Sequence, residues 1–563
     1  MQRLSSPTPA AFAVVRRALR ERPQNKTELY RLKNRVCRET GVNTFADAQL
    51  VAAYEALVVQ GEIDADPLLS ELFRKRSIRT LSGIAPVSVL LPPAPCKSAC
   101  VYCPTERTDA SGKTLFQLDS EKKYGPQKIP KQYRRAGVPV MPKSYLSSEP
   151  GAMRALLAGF DPFVQISRRL EALKKTGHHA DKCELIVQGG TFSDLKKADR
   201  TRFLTRCYRA FNQDAAGETN TLNAAQARNE QAPHRVVGLT LETRPGSITP
   251  EEVRDFRRLG CTRVEIGVQT LDDAITRKTK RIQTRAEVVR GTKLLRRAGF
   301  KICYHVMPGL PGSTPEQDIA TYREMMEHPD FCPDLVKIYP CSVVPFSELA
   351  EWHKTGKYEP YPEPVLHEVL IELKRLTPPW VRISRLIRDI PGTAILGGSK
   401  VTNLRQLLQE KMRQNGECCR CIRCREIRER EFCAEEVQLT TREYKTSTGT
   451  ELFLSYELAD ETLLSMLRLS LPHGGERPLF RALHNAAIVR ELHTFGAAVP
   501  VGQSAAKQAQ HTGYGSLLLQ EAERIAKTKG YRKLAVIAGI GVKDYYRRRG
   551  FTDEGTYLVK RLD

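Results

Sequence analysis

The chain has no apolar run of the roughly 18 residues that a membrane-spanning helix needs. Its start shows no short apolar stretch ahead of a small-residue cleavage site, so a secretory leader is not expected. Internal repeats and low-complexity segments are also missing. Acid is absent from the first twenty residues, which carry Arg3, Arg16, Arg17 and Arg20. That start is open to two readings, an organelle transit peptide or a basic helix opening a nucleic-acid-binding region. Together these absences lead us to expect a cytoplasmic protein with no membrane association.

What the sequence does contain is length, charge and thiols. At 563 residues, 41% apolar and 27% charged, it can bury several cores and is not disordered by composition. Lys plus Arg number 89 against 64 Asp plus Glu, a net charge of +25. Such an excess favours a polyanionic partner, because each neutralised phosphate releases counterions; a basic but merely solvated surface is the plainer alternative. The cysteines number 15, an odd count gathered in clusters. That pattern argues against a disulfide framework and for metal.

Residues 1–80 read as a basic helical region expected to bind tRNA. From position 87 apolar runs alternate with amphipathic stretches: Val87–Leu91, Glu184–Val187, Val236–Leu241, Arg263–Val268, Ile302–Val306 and Leu335–Tyr339. Each is rich in β-branched residues and bounded by Gly, Pro or Thr, as buried parallel strands are. Six such strands predict an α/β fold over 81–390, an open or closed (βα)6 barrel whose chemistry sits at the C-terminal strand ends. There the sequence places the Cys96 loop, Gln188-Gly189-Gly190, Glu242-Thr243-Arg244, Gln269 and Met307-Pro308-Gly309. A Cys/Arg-rich connector follows over 391–435, and a second α/β pattern over 436–563.

Cys96, Cys100 and Cys103 have the spacing C-x3-C-x2-C on a loop after the first strand. Three thiolates can hold three irons of a 4Fe-4S cluster and leave the fourth open, where a purely electron-carrying cluster takes four cysteines. Tyr102, next to the third cysteine, can stack on an adenine; a three-cysteine zinc site is the alternative. The pattern resembles the radical S-adenosylmethionine (SAM) superfamily, in which the open iron chelates SAM and a 5′-deoxyadenosyl radical results. By that resemblance Gly189 and Gly190 face the methionine group, and Glu242 and Gln269 lie near SAM. One departure is that Thr105-Glu106 stand where many relatives have two glycines.

Gln510-His-Thr-Gly513-Tyr514-Gly515 fits Gln/Arg-x2-Gly-x-Gly/Ala between a strand, Ile488–Phe495, and a helix from about 515 to 528. Glycines there let backbone N–H groups at a helix start approach a pyrophosphate. With the strand Leu534–Ala538 and Asp544-Tyr545-Tyr546 beyond it, the segment looks like the GNAT acetyltransferase fold. A radical-SAM barrel joined to such a domain resembles the family of the Elongator catalytic subunit and the prokaryotic tRNA uridine carboxymethyltransferases. Asp181–Phe192, Gly260–Gln269, Pro378-Pro-Trp380 and Arg388–Pro391 carry that likeness.

The resemblance implies acetyl-CoA contacts at Lys182, Glu491, Leu492, His493, Thr494, Tyr514, Gly515, Ser516 and Tyr546, besides Gln510 and Gly513 of the glycine turn. It implies a tRNA anticodon stem-loop as substrate, transfer of a carboxymethyl group to carbon 5 of the wobble uridine, and either accessory subunits or self-association. His493 and Tyr546 are the candidate catalytic groups for thioester hydrolysis. Between Lys122 and Lys143 seven Lys or Arg and no acid alternate with Tyr124 and Tyr133, a pattern suited to splayed single-stranded bases. In the connector, Cys419, Cys421 and Cys424 suit a structural zinc, with Cys418, Cys433 or a residue brought in by folding as fourth ligand. Cys183, Cys261 and Cys303 read as small core residues. Two rival functions are a protein lysine acetyltransferase, disfavoured by the basic charge, and a tRNA-binding scaffold without catalysis.

Overall fold

The computed structural model describes residues 7–74, 82–118, 129–133, 137–214, 220–496 and 513–562. The chain opens with four helices: α1 (Pro9–Glu21), α2 (Lys26–Glu39), α3 (Asp47–Val59) and α4 (Pro67–Phe73). Side chains of Thr8, Asn25 and Asp66 accept from the free N–H groups that open α1, α2 and α4, as capping residues do. The helices meet over Val14, Leu32, Val36, Leu50 and Leu57, a core of their own. Several of their arginines are spent internally: Arg16 pairs with Glu62 at 2.8 Å, and Arg17 with Glu21 at 3.0 Å and also with Glu39.

The next element is a sheet of seven parallel strands in sequential order. They are β1 (Ala85–Leu90), β2 (Lys182–Gln188), β3 (Arg235–Thr243), β4 (Arg263–Gln269), β5 (Lys301–Val306), β6 (Leu335–Ile338) and β7 (Arg382–Arg385). The expected six strands are therefore joined by a seventh, β7, whose Arg-Ile-Ser-Arg sequence carries too little apolar character to announce itself. Helices such as Pro162–Lys174, Lys197–Asn212 and Arg285–Arg297 cover the outer face. Burial along β2 alternates strictly: Cys183, Leu185 and Val187 belong to the core under the helices, while Glu184, Ile186 and Gln188 face inward and stay partly exposed. The result is a half-barrel whose inner face is a cavity wall.

A second seven-stranded sheet follows, in the order β13-β14-β12-β11-β10-β9-β8. Its strands are β8 (Gln438–Thr446), β9 (Gly449–Glu457), β10 (Leu463–Pro472), β11 (Ala486–Thr494), β12 (Lys533–Val536), β13 (Thr552–Glu554) and β14 (Tyr557–Arg561). Parallel β11 and β12 pair only from Ala486 to Val489, so the remainder of β11 has no partner on that side and a cleft opens. Helix Tyr514–Thr528 starts beside it. No described helix is long and apolar enough to cross a membrane.

This sheet closes the N-terminal end of the half-barrel. A Cβ on Gly539 would lie 2.1 Å from the Val237 carbonyl oxygen, and one on Gly541 2.5 Å from the Arg235 Cβ, so both glycines are required for the approach. Opposite β10, the register slips at Arg490, a bulge that re-aims its side chain into the barrel. There Arg490 binds Asp334, Glu451 (2.9 Å) and the Phe300 carbonyl (2.7 Å), while Arg468 adds a contact to Asp334 at 3.5 Å. Burial works to raise the Asp334 carboxyl, but the arginines outweigh it and hold it below its ordinary range.

Candidate functional site

One cavity of about 2290 Å³ runs from the cysteine loop, along the inner face of the half-barrel, to the cleft in the second sheet. At its barrel-top end stand Tyr102, Cys103, Gln188, Gly190, Glu242, Gln269 and Met307. The loop after β1 is held by backbone bonds from Val101 to Thr279 (3.0 Å) and from Leu349 to Val101 (2.8 Å). Lys143, placed in the basic stretch expected to meet RNA, donates instead to the Ser98 carbonyl at 2.8 Å and so fixes this loop. Lys122–Lys128 and Arg134–Arg135 lie outside the described residues.

Cys100 and Cys103 sit against each other, and Cys96 is partly exposed. The hydrogen bond from Cys103 brings the Cys100 thiol down to about 5, against burial and with help from the Arg281 guanidinium, which is 3.8 Å from its sulfur. Arg281 is buried, reaches the Tyr102 hydroxyl at 3.4 Å, and donates to the Gly267 carbonyl. It gives the loop a fixed positive charge, which favours thiolate ligands. Nothing in the sequence singles it out, because it stands beside Lys278 and Lys280 in a run of basic residues.

The glycine segment behaves as a close-approach turn. Gly189 has φ +120°, and a Cβ there would meet the Leu91 amide nitrogen at 2.9 Å; Gly190, at φ +98°, faces open space. Gln269 adopts φ +67°, which is costly for a side-chain-bearing residue, and its buried Oε1 has no hydrogen-bond partner. An orphaned acceptor, an open glycine and a thiolate-favouring charge fit a cluster with a nucleoside ligand beside it. Glu106, at the departure from the glycine pair, is fully buried and accepts from Ser147 Oγ (2.6 Å) and the Leu115 amide (3.0 Å). It ties the loop to the next segment, which two glycines could not do.

Midway down the cavity lies a charged ladder that the sequence reading did not name. Arg263 pairs with Glu184 at 2.7 Å and Glu265 at 3.7 Å; Glu265 binds Lys337 and His305 Nε2 (2.9 Å); His305 Nδ1 faces Glu242 at 3.4 Å. Burial opposes charge on Glu265, yet Lys337, His305 and Arg263 hold its carboxyl well below the ordinary range. These residues stand on β2–β6 and line the interior, where an isolated charge in an apolar run would be read as a surface position.

The other end of the cavity is lined by Lys182, Glu491, Leu492, His493, Thr494, Gly513, Tyr514, Gly515, Ser516 and Tyr546. Lys182 is exposed at the start of β2 and shares the cavity with the rest, although it is more than 300 residues away from them in sequence. Gln510 lies outside the described residues. Gly513 opens the helix at φ +85°, and the Ser516 hydroxyl accepts from Arg549 at 2.9 Å, placing a guanidinium at the helix start. Burial tends to raise the Glu491 carboxyl, but Lys301 (3.2 Å) and Arg468 (2.9 Å) hold it far below its usual range. Burial lowers the His493 pKa and keeps the imidazole neutral; its ring lies 4.4 Å from that of Phe495. Tyr546 is buried between Tyr545 and Phe551, and that burial raises its phenol.

In the connector the ligand atoms of Cys419, Cys421 and Cys424 lie within 4.8 Å of one another. A tetrahedral ion with bonds of about 2.3 Å sets its sulfurs about 3.8 Å apart, so this set suits a single metal ion. Cys96, Cys100 and Cys103 are not so drawn together among the described residues, as suits a larger cluster. Hydrogen bonds from Cys419 and Cys421 bring Cys424 down to about 2, with Lys374 and Arg405 adding positive charge. Cys418 and Cys433 are exposed and outside the group. Arg423, Glu426 and Arg428 of the connector border the same cavity.

Comparison with known proteins agrees with this layout. Residues 94–325 match the Radical SAM superfamily, and residues 333–414 the Radical_SAM C-terminal domain. The chain is 38% identical over 506 residues to a tRNA uridine(34) acetyltransferase of Methanocaldococcus infernus, covering 88% of this chain and 89% of that one. It is 37% identical over 507 residues to Elongator complex protein 3 of Schizosaccharomyces pombe, covering 88% of each. A solved structure of the M. infernus Elp3 with an N-terminal deletion matches with a TM-score of 0.68 at 40% identity, over 72% of this chain and 97% of the other.

Proposed function

Because this chain belongs to the family of the tRNA uridine(34) acetyltransferases and Elongator complex protein 3, within the radical SAM superfamily, we propose that it modifies the wobble uridine of tRNA with an acyl group taken from acetyl-CoA. In our reading the product is a 5-carboxymethyl group: the acetyl methyl gives a hydrogen atom to a SAM-derived radical and its carbon joins carbon 5 of the uracil, which loses its hydrogen as a proton and an electron that balances the one spent on SAM, and thioester hydrolysis frees the carboxylate. The observation that carries this is the single cavity, with Tyr102 and Cys103 at one end and Thr494, Gly515, Ser516 and Tyr546 at the other.

Cys96, Cys100 and Cys103 would hold a 4Fe-4S cluster, which supplies the electron that cleaves SAM to a 5′-deoxyadenosyl radical. Arg281 steadies the thiolates, Tyr102 offers a face to adenine, and Gly189, Gly190, Glu242 and Gln269 receive the remainder of SAM. At the far end, the start of helix Tyr514–Thr528 and Arg549 meet the CoA pyrophosphate, and Lys182 approaches from the barrel side. His493, neutral and beside the cavity, can take a proton from water attacking the thioester, with Tyr546 near the sulfur. Enclosure by two sheets keeps bulk water from the reacting carbon. Cys419, Cys421 and Cys424 would hold zinc, and the basic surface would bind the tRNA anticodon arm.

The test is protein reconstituted anaerobically with iron and sulfide and given SAM, reductant, acetyl-CoA and unmodified tRNA. Mass spectrometry of the digested nucleosides is expected to show carboxymethyluridine, absent with Cys100→Ala. CoA release with an unmodified uridine would contradict the reading.

A further inference from the structure

The two ends of the cavity are a strand-length apart. Lys182 opens β2 and Gln188 ends it, and six steps of ~3.3 Å put about 20 Å between the acyl end and the cysteine end. The second sheet cannot swing to close that gap, because Gly539 abuts the Val237 backbone and the Arg490–Asp334 pair is fully buried. Something flexible has to cross the interior instead.

That interior is suited to be crossed. Closed eight-stranded barrels fill their centre with layers of packed side chains. Here seven strands leave the inner face open, and Ser88, Glu184, Ile186, Arg263, Glu265, His305 and Lys337 line it. Ser88 and Ile186 are register partners on β1 and β2, and together they form the uncharged wall facing the ladder. A lysine ammonium has three donors, and Lys337 gives Glu265 at most two of them, so a donor remains for a passing carbonyl. The combination of one uncharged wall and one wall of donors and acceptors matches a chain built of methylenes and amides.

We propose that the half-barrel interior is the path along which the acyl-pantetheine arm of the CoA thioester extends toward the cysteine loop, with Lys337 donating to an amide or thioester oxygen on the way. This rests on the acetyl-CoA reading above and adds to it a route and one positioning residue, Lys337. The arm is equivalent to four or five extended residues, a reach of about 15 Å. Anchored by its phosphates at the second sheet, it spans about three-quarters of the strand length and brings the acyl carbon to the level of Ser88 and Ile186, in the upper interior below the cysteine loop.

The route is tested by trapping, without reference to turnover. Ser88→Cys, close to isosteric, and separately Ile186→Cys would be made in the full-length, cluster-loaded protein. Each is treated with coenzyme A carrying its sulfur as a methyl disulfide. Attack by the introduced thiolate forms a disulfide to the arm and releases methanethiol. Peptide mass mapping should show modification at position 88 or 186 at least tenfold faster than at exposed Cys433, and suppressed by acetyl-CoA. Labelling no faster than at Cys433, in protein that still binds acetyl-CoA, would overturn the route. Loss of all acetyl-CoA binding in the unsubstituted protein would instead overturn the function and the route with it.

Discussion

Single side chains decide what each end of the cavity can do. His493 is the clearest case: burial lowers its pKa from 6.5, so it stays an available base through neutral pH. The hydrolysis of acetyl-CoA that accompanies turnover should therefore be flat above pH 6.5 and fall only on the acid side of it. His493→Ala should lower that rate roughly 100-fold, the size of a lost general base, with acetyl-CoA affinity retained; a full rate in a coupled CoA-release assay would refute the role. The residues that sequence reveals at this scale are those whose spacing is itself the signal, such as Cys96/Cys100/Cys103 and Gly513/Gly515. Arg281, Lys337 and His305 escaped because a charge carries no period; only the fold shows that they point inward.

At the level of elements, β1 to β6 were legible because each is an uninterrupted β-branched run closed by a turn residue. β7 was not, having one apolar residue in four. Nor were β8–β10, where β8 is largely exposed and its alternation of Thr, Arg, Glu and Lys reads as a loop. The connector was recognised by its cysteines; Leu404 and Leu408, which pack into the barrel core, are what bring it against the cavity. Metal held there would tie helix Leu404–Gln414 and β7 to the second sheet. Cys421 is fully buried, so Cys421→Ser should remove most of one zinc per chain by elemental analysis. The melting temperature should fall too, because binding free energy at such a site is folding free energy. Unchanged zinc content would exclude Cys421 as a ligand.

For the whole molecule, the decisive fact is that two sheets share one core and one ion network. Ile488, Ala535 and Tyr557 of the second sheet are packed with the barrel core, and Asp334 sits between Arg490 and Arg468 with no exposure. Asp334→Asn would leave two buried guanidinium groups short of a carboxylate, at a cost of about 3–5 kcal/mol. It would be read as a lower urea midpoint for a single unfolding transition; two separate transitions would show that the sheets are independent. Because the Asp334 pKa is held below 3.8, its contribution is complete above that value and is lost as pH falls through the folded-state pKa.

The same pairing sets a condition on how the protein is made. Asp334 and Arg490 are 156 residues apart, so at ribosomal rates of ~5–20 residues per second the aspartate emerges about 10–30 s before its partner. Once β7 has followed, still well ahead of Arg490, the half-barrel has all its strands but an open end, with Val237, Phe300 and Asp334 facing water where the second sheet will dock. The nascent chain is thus obliged to wait, unfinished and sticky, for its own C-terminal third, which makes synthesis rather than the folded state the stage at which damage to the β11 region is most harmful.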